Sequence, residues 1–494
     1  MGSPVQCSLQ RDEVTKKYKT KSQRDEVTHR KQKTTWRLGE GRRMVTATGD
    51  CRLLSNRLVS KDRRRVLETW NFLACCPGYA ALASKSALIS RYIFHFLFYS
   101  AKMVTFFSLL YTFLFLLFVY LHSSSATTNY NVLSFGAKGD GVTDSTQAFI
   151  NAWAAACRST ESITIYVPKG MYLLGSVAFK GNCKSSDITI RIDGTLVSSL
   201  DYGVLGEADN WLSFEGVNGV SIVGGTLDAN GSALWSCKAA RSNCPSGATT
   251  LSFTNSNSTR INGVSSLNSQ MFHIVINGCQ DVHIDKVNVT AASDSPNTDG
   301  IHIQLSQNVM ITNSSMKTGD DCISIGPGTK NLWIESITCG PGHGISIGSL
   351  GKEMDEQGVQ NVTVQKTLFT GTQNGLRIKS WARPSNGFVQ GVRFINATMQ
   401  NVQNPIVIDQ NYCPHNLNCP GQVSGVKISD VMYQDIRGTS ATAVAIKFDC
   451  STKYPCTGIR LQNVNLTYLN QVAQSSCNNV IGKTLGLVKP NRFL

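Results

Sequence analysis

The 494-residue sequence lacks the spacings of a zinc site, because it contains no Cys-x-x-Cys pair and no cluster of cysteine with histidine. Charged residues are scarce, at 16%, whereas apolar residues make up 41%. This composition excludes wholesale disorder and allows a large core. Apart from residues 145–156, the chain beyond residue 130 also lacks helical stripes of ten or more residues. We therefore expect that the protein holds no metal and contains little helix.

Positive charge is concentrated near the N-terminus. Residues 1–102 carry 21 of the 47 Lys and Arg but only 8 of the 32 Asp and Glu, so that +13 of the net charge of +15 lies there. The nearly neutral remainder gives no reason to expect nucleic acid as a partner. We interpret residues 1–102 as a basic, unpatterned extension. Our hypothesis is that translation begins at Met103 and that an over-extended gene model supplied the extension; a basic nuclear-import segment is the alternative.

An apolar run at residues 104–121 follows Lys102 and ends in small residues up to position 126. This layout is typical of a secretory signal peptide, here internal, over residues 103–126. A transmembrane helix is the alternative, since about 18 apolar residues just span a bilayer. No basic stop-transfer cluster follows the run, so we expect a cleaved signal and no stable membrane anchor. Residues 127–494 would then form the mature domain.

Cysteine use also predicts an oxidising compartment. Twelve of the 16 cysteines follow residue 102. Several form close pairs in the sequence, among them Cys413 with Cys419, which indicates disulfide bonds. Seven Asn-x-Ser/Thr sequons lie in the same region, and they support secretion weakly. The protein is therefore expected to be a secreted, extracellular glycoprotein.

Short runs of alternating apolar residues recur every 23–34 residues between positions 282 and 459. Alternation over four to six residues is the periodicity of strands, and Gly, Asn, Ser and Thr between the runs supply turns. Propeller blades need about 40 or more residues, so a parallel β-solenoid with two or three strands per coil is the better prediction. Stacked coils favour amide ladders from Asn308, Asn331 and Asn361. Residues 145–156 would form a short helix that caps the N-terminal end of the solenoid.

Four consecutive repeats carry concentrated charge, at offsets of 21, 23 and 34 residues. The four groups are Asn297-Thr-Asp299-Gly, Gly-Asp320-Asp321-Cys322, Gly-His343-Gly and Arg377-Ile-Lys379. Because each offset is about one coil, three carboxylates, an imidazole and two cations are expected to converge. Carboxylates held close repel each other, so one retains its proton while the others stay ionised, which suits hydrolysis of a glycosidic bond. A calcium site is the alternative, disfavoured by the imidazole and the two cations.

Arg377 and Lys379 lie two residues apart on a predicted strand and therefore point to the same face. Together they can bind a substrate carboxylate, which indicates an acidic sugar polymer. The four motifs resemble, without substitution and in the same order, the signature motifs of plant polygalacturonases, glycoside hydrolase family 28. The resemblance covers about residues 130–480. It implies an all-β, right-handed parallel β-helix that hydrolyses α-1,4-galacturonan with inversion and without a metal or other cofactor.

The resemblance also implies a role for each residue. Asp320 would donate the proton to the glycosidic oxygen, while Asp299 and Asp321 would hold and deprotonate the attacking water. His343 would tune the acid, and the residues expected to bind substrate are Arg377, Lys379, Tyr412 and Asn297. The family also pairs cysteines in the way that would join Cys322 to Cys339. The expected partner is pectic polysaccharide in the cell wall, bound by a monomer.

Three alternatives remain at this stage. A calcium-dependent pectate lyase would share the solenoid, and a non-catalytic pectin-binding solenoid would keep the groove without the chemistry. Rhamnogalacturonan hydrolase is the nearest enzymatic alternative, disfavoured by the pair of cations at Arg377 and Lys379. Endo action is favoured over exo action, although the sequence does not decide between them.

Overall fold

The computed structural model describes residues 8–11, 108–115, 128–240 and 243–491. One compact unit comprises residues 1–15 and 124–494, and a second comprises residues 16–123, in which 108–115 form a helix. Within the described ranges, no helix is both long and apolar enough to cross a membrane. Most of the predicted extension and signal peptide lie outside the described residues, so their interpretation stays a prediction.

The large unit is a right-handed parallel β-helix built from two long sheets, as predicted. The 23-stranded sheet contains β1 (Ser8–Arg11), β2 (Thr128–Asn131), β3 (Asp140–Asp144), β4 (Ile163–Val167), β5 (Met171–Leu173), β7 (Ile188–Ile192), β8 (Thr195–Val197), β10 (Val220–Val223), β11 (Thr226–Asp228), β13 (Asn257–Asn262), β14 (Ser265–Leu267), β16 (Gln280–Asp285), β17 (Asn288–Thr290), β19 (Gln307–Thr312), β20 (Ser315–Lys317), β22 (Lys330–Cys339), β24 (Val359–Thr370), β26 (Phe388–Val402), β28 (Lys427–Gln434), β29 (Arg437–Ser440), β31 (Cys456–Tyr468), β32 (Gln471–Val472) and β34 (Val480–Lys489). The 11-stranded sheet contains β6 (Val177–Lys180), β9 (Asn210–Glu215), β12 (Thr249–Thr254), β15 (Ile274–Asn277), β18 (Ile301–Gln304), β21 (Ile323–Ile325), β23 (Ile345–Leu350), β25 (Asn374–Trp381), β27 (Asn404–Tyr412), β30 (Val444–Asp449) and β33 (Gln474–Asn478).

Each coil contributes two or three strands, which confirms the prediction from the repeat length. In one coil, β16 and β17 join the 23-stranded sheet and β18 joins the 11-stranded sheet. From β22 onward the first two strands of several coils merge into one long strand. Equivalent residues of successive coils therefore stack in register, about 4.8 Å apart.

Asparagine turns stabilise one edge of the stack, as the sequence predicts. Asn308, Asn331 and Asn361 each have φ of 55–56°, a left-handed conformation that asparagine tolerates. The Asn331 amide donates to the Asn308 oxygen at 3.0 Å, and the Asn361 amide donates to the Asn331 oxygen at 2.7 Å. Since the turn positions repeat coil after coil, these bonds help to fix the register between neighbouring coils.

Branched aliphatic side chains fill the centre of the coils. Ile301, Ile323, Ile345 and Leu376 occupy equivalent positions and are completely buried. Burial of each such side chain contributes about 1.5–3 kcal/mol of transfer free energy. The predicted capping helix is confirmed, with bounds Thr146–Arg158, and its Trp153 packs on Phe179 at 5.2 Å between ring centroids. Further helices are Gly203–Gly206 and Ser232–Ala239, with 3₁₀ turns at Val132–Phe135 and Pro414–Asn416.

Five disulfide bonds confirm most of the cysteine analysis. They are Cys157–Cys183, Cys237–Cys244, Cys322–Cys339, Cys413–Cys419 and Cys450–Cys456. Cys477 is also disulfide-bonded. Cys279 is an exception to the predicted disulfide bonding, because it is a buried free thiol that donates to the Phe253 carbonyl at 3.3 Å. It behaves as a small core residue.

Candidate active site

The charged motifs meet on the outer face of the 11-stranded sheet. Asp299 precedes β18, the Asp320-Asp321 pair precedes β21, and His343 precedes β23. Ile301, Ile323 and Ile345, each two residues further on, pair directly in the sheet. Asp299, Asp321 and His343 therefore lie at the same level of three successive coils, as the sequence spacing predicts.

Arg377 and Lys379 project from the next strand, β25. Leu376 and Ile378 point into the core, so the alternating residues Arg377 and Lys379 point outward. Arg377 pairs with Ser346 of β23 in the sheet. The cations are thus placed directly beside the carboxylates, in the order that the motifs follow along the chain.

A bend turns both adjacent aspartates toward the same face. Residues 319–322 lie outside β21 in a bend, so the opposite orientations of a regular strand do not apply. A Cβ atom at Gly319 would collide with the Ser295 carbonyl, so only glycine allows this close approach. The Asp321 N–H donates to Asp320 Oδ1 at 2.8 Å, and Thr318 Oγ1 donates to the Asp320 carbonyl at 2.9 Å. These bonds fix the bend.

Asp321 is the carboxylate of the cluster that is paired with the two cations. Its side chain is 1% exposed, and burial alone would raise its pKa; Lys379 and Arg377 outweigh that effect and lower the pKa to about 2. Lys379 Nζ donates to Oδ2 at 2.8 Å, and Arg377 Nη2 donates to Oδ1 at 2.8 Å. Ser346 Oγ also donates to Oδ1, at 2.7 Å. Asp321 is therefore ionised in the mildly acidic range.

Asp299 has the opposite electrostatic environment. Burial raises its pKa well above the usual value, and the charges of Asp320 and Asp321 raise it further. A hydrogen bond with Ser324 and the charge of Lys379 counteract part of this effect. The raised pKa in this cluster lies on Asp299, whereas the resemblance assigns the proton donor to Asp320.

Asp320 is the carboxyl most open to solvent, with a side chain 21% exposed. Its Oδ1 lies 3.0 Å from His343 Nδ1, and its carbonyl accepts the His343 N–H at 2.7 Å. The Cys322–Cys339 disulfide, whose ends have a sequence separation of 17, joins the Asp-Asp bend to the strand that leads to His343. Asp320 and His343 are thus held together by side chain, backbone and disulfide.

The remaining predicted site residues lie at the edges of the cluster. The Tyr412 ring lies 5.2 Å from Lys379 Nζ and packs edge-on against Trp381 at 5.4 Å. The Cys413–Cys419 disulfide closes the loop that follows Tyr412. Asn297 is exposed, two residues before Asp299, at a turn with φ of 57°. Its role in substrate binding stays a prediction.

Three polar residues of the site escaped the sequence analysis. Ser346 donates to Asp321 at 2.7 Å, Ser324 lowers the pKa of Asp299, and His302 Nδ1 lies 2.7 Å from Ser324 Oγ. Each lies between two isoleucines, in Gly-Ile-His-Ile, Cys-Ile-Ser-Ile and Gly-Ile-Ser-Ile. The sequence pattern could have identified these residues, because the residue between two inward-pointing isoleucines of a strand points outward, beside the charged motifs.

Asp320, Asp321 and His343 are the one group of candidate metal ligands within the described residues, with ligand atoms within 4.8 Å of one another. Both oxygens of Asp321 already accept hydrogen bonds from cationic side chains. The same two cations would repel a divalent ion placed there. The donor set therefore suits acid/base chemistry better than metal binding.

A parallel β-helix that carries three carboxylates and two cations on one sheet face is typical of a carbohydrate-cleaving enzyme. Residues 157–486 match the model of glycosyl hydrolases family 28. The chain belongs to this family and is a glycoside hydrolase.

Related proteins match nearly over their whole length. A polygalacturonase of Prunus persica is 60% identical over 382 residues, which are 77% of this chain and 97% of that protein. An exopolygalacturonase of Platanus acerifolia is 42% identical over 363 residues, 72% of this chain and 95% of that protein. Among solved structures, the endo-xylogalacturonan hydrolase from Aspergillus tubingensis has a TM-score of 0.64 at 25% identity, covering 72% of this chain and 96% of that one.

Proposed function

We propose that this protein hydrolyses the α-1,4 bonds of polygalacturonate by an inverting, metal-independent acid/base mechanism. The observation that carries the proposal is the difference in electrostatic environment between two neighbouring carboxyl groups. Asp321 is held ionised between two cations, whereas neighbouring Asp299 is buried and favours its protonated form. Neighbouring carboxyls with such different environments are typical of an active site that uses acid/base chemistry. The high identity to a plant polygalacturonase supports the same substrate.

Asp320 is assigned as the proton donor, because its carboxyl is the most exposed of the three and lies against His343. Asp299 and Asp321 hold the attacking water, and the raised pKa makes Asp299 the more basic of these two. The mechanism needs a protonated donor and an ionised residue that activates water, so the pH–rate profile is expected to be a bell.

Arg377 and Lys379 have donors left for a substrate carboxylate. A guanidinium has five N–H donors and an ammonium three. Arg377 uses Nε toward Ser346 and Nη2 toward Asp321, while Lys379 makes one bond to Asp321. The donors that remain can bind galacturonate in the cleaved position, with Tyr412 beside it.

The direct test is product analysis on polygalacturonate in the presence of EDTA. We expect saturated products with the inverted anomeric configuration, detected by NMR. Unsaturated products, or activity that requires calcium, would favour a lyase. Mixed oligomers would show endo action, and monomer alone would show exo action.

Methyl esterification of the substrate is expected to suppress cleavage strongly. Esterification removes the charge that Arg377 and Lys379 bind, at a cost of about 1.5–3 kcal/mol per charge-assisted hydrogen bond. Rates should be compared on one pectin before and after chemical de-esterification, with matched chain length. Equal rates on both would show that the two cations have another role.

We further propose that the protein is secreted to the cell wall after cleavage within residues 103–126. The disulfide bonds and the apolar run at 104–121 support this route. In two sequons, Asn313 and Asn361, the side-chain amide donates to Asp285 and Asn331, which disfavours a glycan. Sequons with exposed asparagines outside the 11-stranded sheet, and so away from the carboxylates, are Asn257, Asn288, Asn396 and Asn465.

Mass spectrometry of the native plant protein should therefore find glycans on those four asparagines and not on Asn313 or Asn361. Enzymatic deglycosylation in ¹⁸O-labelled water converts each occupied asparagine to an isotopically labelled aspartate. N-terminal sequencing of the same sample should begin at about residue 127, after the predicted signal peptide. A mature chain that retains Arg24 or Arg43 would contradict the proposed processing.

A further inference from the structure

Arg383 is a cation at the edge of the catalytic face that the proposed mechanism does not use. Its side chain is half-buried, in the loop that follows β25. Its Nη1 donates to the Lys352 carbonyl at 3.0 Å, and its guanidinium lies over the Trp381 ring, with Cζ 5.6 Å from the ring centroid. A hydrogen bond to the preceding coil and a cation–π contact therefore fix the side chain.

The backbone of the same loop is held by the coils on both sides. The Asn386 N–H donates to the Met354 carbonyl at 2.7 Å, and the Asn386 side-chain amide donates to Asp355 at 2.8 Å. On the other side, the Gly425 N–H donates to the Arg383 carbonyl at 2.9 Å. The loops that follow β23, β25 and β27 are thus joined to one another along one edge of the 11-stranded sheet, and Arg383 has a fixed place among them.

Trp381 connects Arg383 to the residues that are expected to bind substrate. Trp381 is the last residue of β25, two residues after Lys379, and it pairs with Tyr412 of β27. The Tyr412 ring contacts both Lys379 Nζ, at 5.2 Å, and the Trp381 ring, at 5.4 Å between centroids. Lys379, Tyr412, Trp381 and Arg383 therefore form a continuous row of contacts that leads away from the carboxylates.

The charge of Arg383 has no acidic partner among the residues that the structure describes. Other arginines that pair with an aspartate are Arg191, Arg377, Arg393 and Arg460. A guanidinium keeps its charge in proteins and has five N–H donors, of which Arg383 uses one toward the Lys352 carbonyl. The remaining donors and the whole charge are available to an anionic ligand.

We propose that Arg383, held on Trp381, binds the carboxylate of a second galacturonate residue of the polymer, on the Tyr412 side of the residue that Arg377 and Lys379 bind. This inference rests on the proposed function and extends it to a part of the substrate away from the cleaved bond. Every sugar of polygalacturonate carries a carboxylate, so the neighbouring sugar brings a second negative charge. A planar guanidinium matches a carboxylate with two parallel hydrogen bonds.

Such a contact should act on binding and not on the chemical step. Tyr412 and Trp381 lie between Arg383 and Lys379, so Arg383 does not touch the catalytic carboxylates. A contact that is equally strong in the ground state and in the transition state lowers KM and leaves kcat unchanged. The split between KM and kcat therefore distinguishes this role from a catalytic one.

The first test is the steady-state kinetics of Arg383→Gln on polygalacturonate. The glutamine amide can still donate to the Lys352 carbonyl, but the charge is gone. We expect KM to rise by about 5–20-fold, the effect of losing one charge-assisted hydrogen bond at a half-buried site, with kcat within about twofold of wild type. Arg383→Lys keeps the charge without the planar fork and should recover part of the loss. An unchanged KM in Arg383→Gln, or a fall in kcat alone, would overturn the inference.

Arg191→Gln is the matched control. Arg191 also lies over an aromatic ring, with Cζ 5.8 Å from the Tyr166 centroid, but it pairs with Asp193 and belongs to β7 of the 23-stranded sheet. The control removes the same charge from a place outside the catalytic face, so wild-type KM is expected. An equal rise of KM in both variants would show an effect of total charge and would contradict a site at Arg383.

A second measurement needs no turnover. Calorimetric titration in an Asp320→Asn background compares tetragalacturonate with galacturonic acid. Arg383→Gln should weaken binding of the tetramer by about 5–20-fold and leave the monomer unaffected, because the monomer fills only the position at Arg377 and Lys379. Equal affinities for the tetramer with and without Arg383 would refute the proposal. If wild type does not cleave polygalacturonate, the proposed function fails, while this titration still decides whether Arg383 binds the polymer.

Discussion

Asp320→Asn should lower the rate of polygalacturonate hydrolysis by at least about 10²–10⁴-fold, the contribution of a general acid. The amide keeps the shape of the side chain and can still contact His343 Nδ1, but it has no proton to give to the leaving oxygen. Because Asp320 is partly exposed, we expect the thermal unfolding midpoint to change little. The measurement is the initial rate of reducing-end formation at the pH optimum of wild type.

Asp193→Asn is the matched control for this substitution. Asp193 is a partly exposed aspartate paired with Arg191, at the end of β7 in the 23-stranded sheet, and it is outside the catalytic cluster. We expect wild-type rates in this control. Activity of Asp320→Asn within a few-fold of wild type would refute its role as proton donor, and Asp299 would then be the acid to test.

Lys379→Met should have the largest effect on stability. The substitution leaves the buried Asp321 carboxylate with one cationic partner instead of two, and breaking a buried pair in this way typically costs about 3–5 kcal/mol. The lowered pKa of Asp321 contributes stability above its unfolded pKa of about 4, which is lost as pH falls toward 2. Loss of Lys379 should reduce this contribution. Denaturant unfolding at pH 7 and pH 4 measures both effects.

The same substitution at Lys366 separates burial from charge. Lys366 Nζ lies 2.6 Å from Glu335, whose pKa is also about 2, but the Lys366 side chain is 58% exposed. Lys366→Met should therefore cost no more than about 1 kcal/mol. If Lys379→Met and Lys366→Met unfold at the same denaturant concentration, the buried pair does not stabilise the protein as argued.

Lys379→Met should also lose about 10–100-fold in activity, because a carboxylate contact with substrate is removed.

The architecture and the set of charged site residues could both be predicted from local sequence patterns. Alternating apolar residues, with polar residues and glycine between the runs, have a strand periodicity that a helix cannot satisfy, so the coils follow from local chemistry. The sequence separations between the charged motifs are each about one coil, so Asp299, Asp320, His343 and Arg377 must meet on one face. Disulfide bonds between cysteines close in the sequence, such as Cys413–Cys419, were also predictable, since few residues separate their ends.

The protonation state and the contacts of each charged group depend on the tertiary structure. Burial and partners distinguish Asp299 from Asp321, and both depend on neighbouring coils rather than on adjacent residues. The orientation of Asp320 depends on a bend that the local pattern does not encode. Cys279 is buried and unpaired, and its thiol donates to backbone carbonyls instead. Local periodicity determines which face a side chain occupies, whereas its pKa and its partners arise from contacts between residues far apart in the sequence.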